Sequence, residues 1–170
     1  MGMFDFLTGT KRPASGTPAL SRDDLRSRLL ALNRPTAPWK ITDGASDGVD
    51  LVAEWSFHET ATVEGFRKAE RDVVFRILMK LDESTHEVRA GDREYMVEWT
   101  SGGLKFSVAA SAFRGQKQTA SFGGPSFYTE QLPSGATVEY RFTTTELKKP
   151  IQTAVTDAGW TYKGIAFAKL

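Results

Sequence analysis

Leu25, Leu29 and Leu32 recur at the four- and three-residue spacing of one helical face, with Arg22, Arg26 and Arg28 off it. Ser21 and Asp24 complete the start signal, an N-cap hydroxyl followed by an acid three residues on. Asn33 and then Pro35 stop the helix. From about residue 49 the period drops to two. Leu51, Ala53, Trp55 and Phe57 share one face, and Val52, Glu54 and Ser56 share the other. Val63, Phe66 and Ala69 then allow a short amphipathic helix within 59–70, although Gly65 costs it about 1 kcal/mol relative to alanine.

Alternation returns over 72–82. Val73, Phe75, Ile77, Met79 and Leu81 form an apolar face against Val74, Arg76, Leu78 and Lys80, as in a strand with one buried and one partly covered face. Asp82 to Thr85 turns the chain. Tyr95, Val97 and Trp99 alternate with Glu94, Met96 and Glu98, and after Ser101-Gly102-Gly103 the run from Leu104 to Ala112 alternates again, which predicts a β-hairpin. Gly91-Asp92 is a candidate break before it. Weaker strands are expected at 117–123 and 126–131, then one through Val138, Tyr140 and Phe142. Leu147, Ile151, Val155 and Ala158 trace a second helical face, capped by Thr143 or Thr145 and ended by Gly159. Pro150 belongs in its first turn or marks a kink. Trp160 to Phe167 reads as the last strand.

This order predicts an α+β fold: mainly an antiparallel meander of about six to eight strands, a curved sheet or half-barrel, with an N-terminal helix and a helix before the last strand. Residues 8–20 are small and polar, with Pro13, Gly16 and Pro18. The expected organisation is a flexible apolar and basic arm over 1–20, an amphipathic helix and connector over 21–38, and one α+β domain over 39–170.

Composition adds constraints. The 170 residues are 40% hydrophobic and 25% charged, ordinary for a folded domain. Cysteine is absent, which removes disulfides, thiolate nucleophiles and cysteine-ligated metals. No segment reaches the roughly 20 apolar residues of a membrane-spanning helix, and the apolar-then-basic order of the first twelve residues is the reverse of a secretory signal; a cytoplasmic location is expected. The formal charge of +1 hides an asymmetry. Residues 1–40 hold seven basic and three acidic residues, and the other 130 hold fifteen and eighteen. A basic arm on an acidic body can find an anionic partner, or its own body.

Candidate chemistry is thin. His58 and His86 are the only histidines, each followed by a carboxylate, and no spacing pairs them as metal ligands. With Glu54 and Glu59 they are the weak catalytic candidates, against the plainer reading of a strand end and a turn. Arg114 and Lys117 around Gly115 are weak anion-binding candidates, against a basic hairpin tip. Glu94 and Glu98 share a strand face, the usual place for solvated charge. No nucleophile elbow and no phosphate-binding glycine loop is present, and neither a metal nor a cofactor is expected. Nucleic acid is disfavoured because the body is acidic. Phe4, Phe6 and Leu7, with Met3, form an apolar tip that suits packing on the body, a protein partner or a membrane surface.

Several phrases carry a resemblance: VDLVAEW (49–55), FRILMKLD (75–82), the E-V-R of 87–89, AFRGQK (112–117), and the closing run from Glu146 through PIQTAVTDAGWTYKGIAF. Together they resemble a family of uncharacterised bacterial proteins with no assigned function, over about residues 39–170. The resemblance implies that this stretch is one unit and 1–38 an attachment; it implies no activity and no site residue. The leading functional expectation is a non-catalytic cytoplasmic module that binds a partner or small ligand. The alternatives are an enzyme using His58 or His86 with nearby carboxylates, and a peripheral membrane protein held by residues 1–12. Nothing in the sequence selects an oligomeric state.

Overall fold

The structure is a computed structural model that describes residues 9–35, 37–63, 67–100, 107–109, 127–131, 137–141 and 144–165, with side chains described over 9–35, 37–55, 74–93 and 145–165. Helix α1 (Arg22–Leu30) begins as its sequence predicts. The Ser21 Oγ accepts from the Asp24 amide at 3.2 Å and donates to the Asp24 carboxylate at 2.7 Å. Leu25 and Leu29 are fully buried, and Leu32 packs against the same core.

Four strands follow as an antiparallel meander: β1 (Trp39–Asp43), β2 (Leu51–Val63), β3 (Arg67–Asp82) and β4 (Glu87–Thr100). Two expectations are corrected here. Residues 59–63 and 67–70 are strand instead of helix: β2 runs to Val63 and β3 starts at Arg67, and these two residues are Cα partners. Cross-strand pairing outweighs the local helical spacing of Val63, Phe66 and Ala69. Gly91-Asp92 does not break the chain either; β4 passes through both, opposite Leu78 and Ile77.

Strand β5 (Ser107–Ala109) returns against Met96–Glu98, and β6 (Phe127–Gln131) and β7 (Thr137–Arg141) form a separate antiparallel pair. The expected strand over 117–123 lies outside the described residues. Helix α2 (Thr144–Asp157) then leads to β8 (Thr161–Gly164), which lies parallel to Glu87–Ala90 of β4. The fold is therefore α+β, with a helix near the N-terminus, a helix before the last strand and a mixed, mostly antiparallel sheet. The meander is interrupted because the last strand enters parallel to the first half of β4, on the side where β5 pairs its second half.

Pro150 sits in the second turn of α2, where its ring removes the amide that would bond the Glu146 carbonyl. The helix ends in a Schellman arrangement. Trp160 N donates to Val155 O at 3.1 Å and Gly159 N to Thr156 O at 3.0 Å, with Gly159 at φ +74°.

Both helices pack on one face of the sheet. Leu25, Leu29, Leu147, Ile151 and Val155 meet Trp55, Phe75, Ile77, Met79, Val88 and Tyr162 in a single core. The alternation predicted for β2 and β3 is what builds it: Leu51, Ala53 and Trp55, and Phe75, Ile77, Met79 and Leu81, are all buried.

Among the described residues before α1, from Gly9 on, the pairing with the sheet is an isolated bridge, yet these residues are laid along the body. Lys11 and Tyr162 exchange both backbone hydrogen bonds at 2.8 Å, Leu20 N donates to Ala158 O, and the Trp160 indole donates to Leu20 O at 2.8 Å. The basic charge of this region finds the body's acids. Arg22 pairs with Asp50, Arg26 with Asp43 at 2.6 Å, and the Arg34 guanidinium lies 5.9 Å from the centre of the Trp39 ring.

Candidate functional site

His58 and His86 are placed apart. His58 is the Cα partner of Asp72, whereas His86 closes the turn beyond Asp82. The β3 stretch from Asp72 to Asp82 separates them by roughly 30 Å at about 3.3 Å per residue. The His58 and Glu59 side chains, Arg114, Lys117, and the tip residues Phe4, Phe6 and Leu7 lie outside what is described.

His86 has a structural task. It takes the left-handed conformation, φ 50°, that lets a four-residue loop join β3 to β4. Its carbonyl accepts from Thr161 N at 2.8 Å, and its ring stands edge-on to Trp160 at 5.3 Å. Glu54 faces away from the helices and lies 3.1 Å from Arg76 Nε, whose guanidinium also takes Asp47 at 2.9 Å. Among the described residues, no group of three or more His, Cys, Asp or Glu is placed to hold a metal ion, and no helix is long and apolar enough to cross a membrane.

The chemically loaded cluster is one that the sequence reading passed over. Asp92 projects from β4 towards the helices, in line with Val88 and Ala90. Lys148 reaches it from α2, with Nζ 2.5 Å from Oδ2, and both side chains are more than nine-tenths buried. Beside them the Tyr162 hydroxyl is buried without a hydrogen-bond partner among the described residues. Burial first, and the Asp92 charge second, push its pKa well above the usual value near 10, so it remains a neutral phenol. A signal for this cluster existed: Asp92 occupies an inward register position, and Lys148 lies beside Leu147 on the core side of α2.

Among the described residues, two concavities open to solvent. One, about 590 Å³, lies between the helices and is lined by Arg28, Leu32, Glu146, Lys149, Pro150 and Asp157 among others. The other, about 500 Å³, lies where the connector after α1 crosses β1. Arg34, Pro35, Pro38, Trp39, Lys40, Thr42 and Glu54 contribute to its wall. Asn33 fixes that corner by pairing its amide with both Ile41 N and Ile41 O at 2.7 Å, in the manner of a neighbouring strand.

The sheet face away from the helices is cationic. Four described rows cross it in register. Lys40, Glu54, Arg76 and Arg93 form the first; Thr42, Val52, Leu78 and Gly91 the second; Lys80, Arg89 and Lys163 the third; Asp82, Glu87 and Thr161 the fourth. The described basic residues of this face outnumber the acidic ones; the third row is wholly basic, and the fourth sets Asp82 and Glu87 beside it, with Glu87 paired to Lys163.

No protein-family model, no curated protein and no solved structure matches the chain.

Proposed function

We propose that the protein is a non-catalytic module that binds a small anionic ligand in the connector cavity. The observation that carries this reading is the composition of that cavity. It pairs two cations, Arg34 and Lys40, with apolar walls from Pro35, Ala37 and Pro38 and a hydroxyl from Thr42. Its one carboxylate, Glu54, lies against Arg76. A volume of about 500 Å³ falls in the range of small-molecule sites, where a few polar groups orient a ligand against apolar walls.

The groups that would suit catalysis are better accounted for as parts of the fold. His86 holds a turn and a tryptophan. Lys148 and Asp92 neutralise each other inside the core. The rival enzyme reading needs His58 and His86 to act separately, since the sheet spaces them far apart. In this proposal the body over 39–170, the stretch that resembles uncharacterised bacterial proteins, is the binding unit, and the long strands β2 to β4 give it a curved, half-barrel-like sheet. A cytoplasmic location suits a cysteine-free chain of this kind.

The test is a thermal-shift screen of small carboxylates and phosphate monoesters on the full chain. Thr42→Trp, which fills the cavity from an exposed strand position, serves as the control. The expected result is a set of stabilising compounds whose effect disappears in Thr42→Trp and weakens in Arg34→Ala. Compounds that stabilise all three proteins equally would refute the site.

A further inference from the structure

The groove between the two helices carries an inference that does not depend on the connector cavity. Its floor is apolar: Leu32 packs on the core, Ala154 is buried and Pro150 is half-buried. Its rim holds both signs of charge. Arg28 and Lys149 are the cations, Glu146 and Asp157 the acids, and all four are exposed. That balance disfavours a polyanion and a polycation alike. It suits an apolar occupant with at most one charge. The α2 wall from Glu146 to Asp157 rises about 16 Å, and the groove holds about 590 Å³.

One segment of this chain is tied beside the groove. The Gln152 side-chain amide donates to the Gly9 carbonyl at 3.2 Å. Gln152 follows Lys149 by three positions on α2, and residues at that spacing are neighbours on a helix surface. Gly9 takes the left-handed conformation, φ +67°, which breaks the extended line that Lys11 holds against Tyr162. The residues before Gly9 lie outside the described part of the chain. In sequence they carry Met3, Phe4, Phe6 and Leu7 with a single charge, Asp5. This is the composition that the groove suits.

We propose that the groove between α1 and α2 is the docking site of this chain's own N-terminal tip, with Phe4 and Phe6 on the apolar floor. Extended chain advances about 3.3 Å per residue, so Phe6 reaches about 10 Å and Phe4 about 17 Å from Gly9. That reach matches the length of the α2 wall. Successive side chains of an extended segment alternate in direction, so Asp5 faces the rim, where Lys149 and Arg28 stand. The tether makes docking intramolecular, at an effective concentration on the order of millimolar. The docked tip buries its own apolar residues and covers a groove that would otherwise attract other chains.

The experiment is amide NMR of the full chain with a nitroxide at Gly2→Cys. The chain has no cysteine, so this thiol is the sole attachment point. Spectra are compared before and after reduction of the nitroxide. The proposal expects the nitroxide to erase the amide signals of Arg28 and Leu32, across the groove from Gln152, together with that of Thr153. The signals should return when Phe4→Ser and Phe6→Ser are added. They should also return with Thr153→Trp, which fills the groove from an exposed helix position. Arg28 and Leu32 signals untouched by the nitroxide would overturn the proposal. So would an erasure that survives Phe4→Ser/Phe6→Ser, or one centred on Lys40, Arg76 and Lys80, which would move the tip to the outer sheet face. A mixture of nitroxide-bearing chain without nitrogen-15 and nitrogen-15 chain without nitroxide separates the two possible sources of the tip. Undiminished signals in the mixture support docking within one chain; erasure at Arg28 and Leu32 there would assign the groove to a second copy and refute the proposal. The tip substitutions lie outside the folded body, so unmoved Trp55 and Tyr162 amides show that the variants stay folded.

Discussion

Lys148 Nζ lies 2.5 Å from Asp92 Oδ2, between α2 and β4, with both side chains withdrawn from solvent. Each charge is tolerated in the core because the other is there. Desolvation costs several kcal/mol per ion, and a well-formed pair only about recovers it. Breaking the pair is another matter. Lys148→Met or Asp92→Asn should each cost about 3–5 kcal/mol, because one buried charge is left behind. The double variant Lys148→Met/Asp92→Leu should recover most of that loss, which denaturant unfolding of all four proteins would show.

Tyr162 predicts an alkaline limit to stability. Its folded pKa is raised by burial and then by Asp92, so above pH 10 the unfolded chain loses a proton that the folded chain keeps. The unfolded state then binds fewer protons, and stability falls as pH rises through that region. Tyr162→Phe should flatten this alkaline decline. At neutral pH it should be neutral or stabilising by up to about 1 kcal/mol, because it removes a buried hydroxyl that lacks a partner among the described residues.

Two exposed carboxylates set the opposite limit. The Ala45 amide and then the Arg26 side chain hold the Asp43 pKa below its ordinary 3.8, and the Ser84 hydroxyl does the same for Asp82. Their stabilising effect is complete above that ordinary value and lost as pH falls through the lowered ones. An acid titration of unfolding should therefore be less steep below about pH 4 in Asp43→Asn and in Asp82→Asn.

Asn33 should act as an edge guard. Its amide occupies both backbone groups of Ile41 on the outer edge of β1. Asn33→Ala should cost about 1–3 kcal/mol by leaving those groups without their partner. It should also raise concentration-dependent association, since an open strand edge invites pairing with another chain. Light scattering on wild type and variant checks the second effect separately from stability.

Gly159 ties the N-terminal segment to the end of α2. A Cβ there would lie 2.4 Å from Pro18 O, on a backbone already at φ +74°. Gly159→Ala should cost about 1–2 kcal/mol in backbone conformation alone. It should also lift residues around Pro18 from the body, seen as faster proteolysis between residues 12 and 20.

Local signals carried much of this fold. The Ser21 cap, the Leu25 and Leu29 stripe, and the strict alternation from Phe75 to Leu81 each reflect a chain segment deciding its own conformation. Three features were decided elsewhere. The end of β2 depends on Val63 finding Arg67, which no local period encodes. The burial of Asp92 depends on Lys148, fifty-six residues later, arriving on the same side of the sheet. The basic row depends on the parallel entry of β8, since Lys80, Arg89 and Lys163 become neighbours only through two registers. The basic bias of residues 1–40 was visible at once. Its use was not: Arg22 and Arg26 turn inward to Asp50 and Asp43.

The central claim is that this chain binds without catalysing, using its connector cavity and leaving its buried ionisable cluster to the fold. Backbone-amide NMR of the full chain, titrated with the compounds that stabilise it and followed by mass analysis of those compounds, tests this most directly. The account predicts shifts centred on Arg34, Trp39 and Thr42, with every compound recovered unchanged. Shifts centred on Asp92, Lys148 and Tyr162, with a compound converted to product by wild type but not by Asp92→Asn, would contradict it.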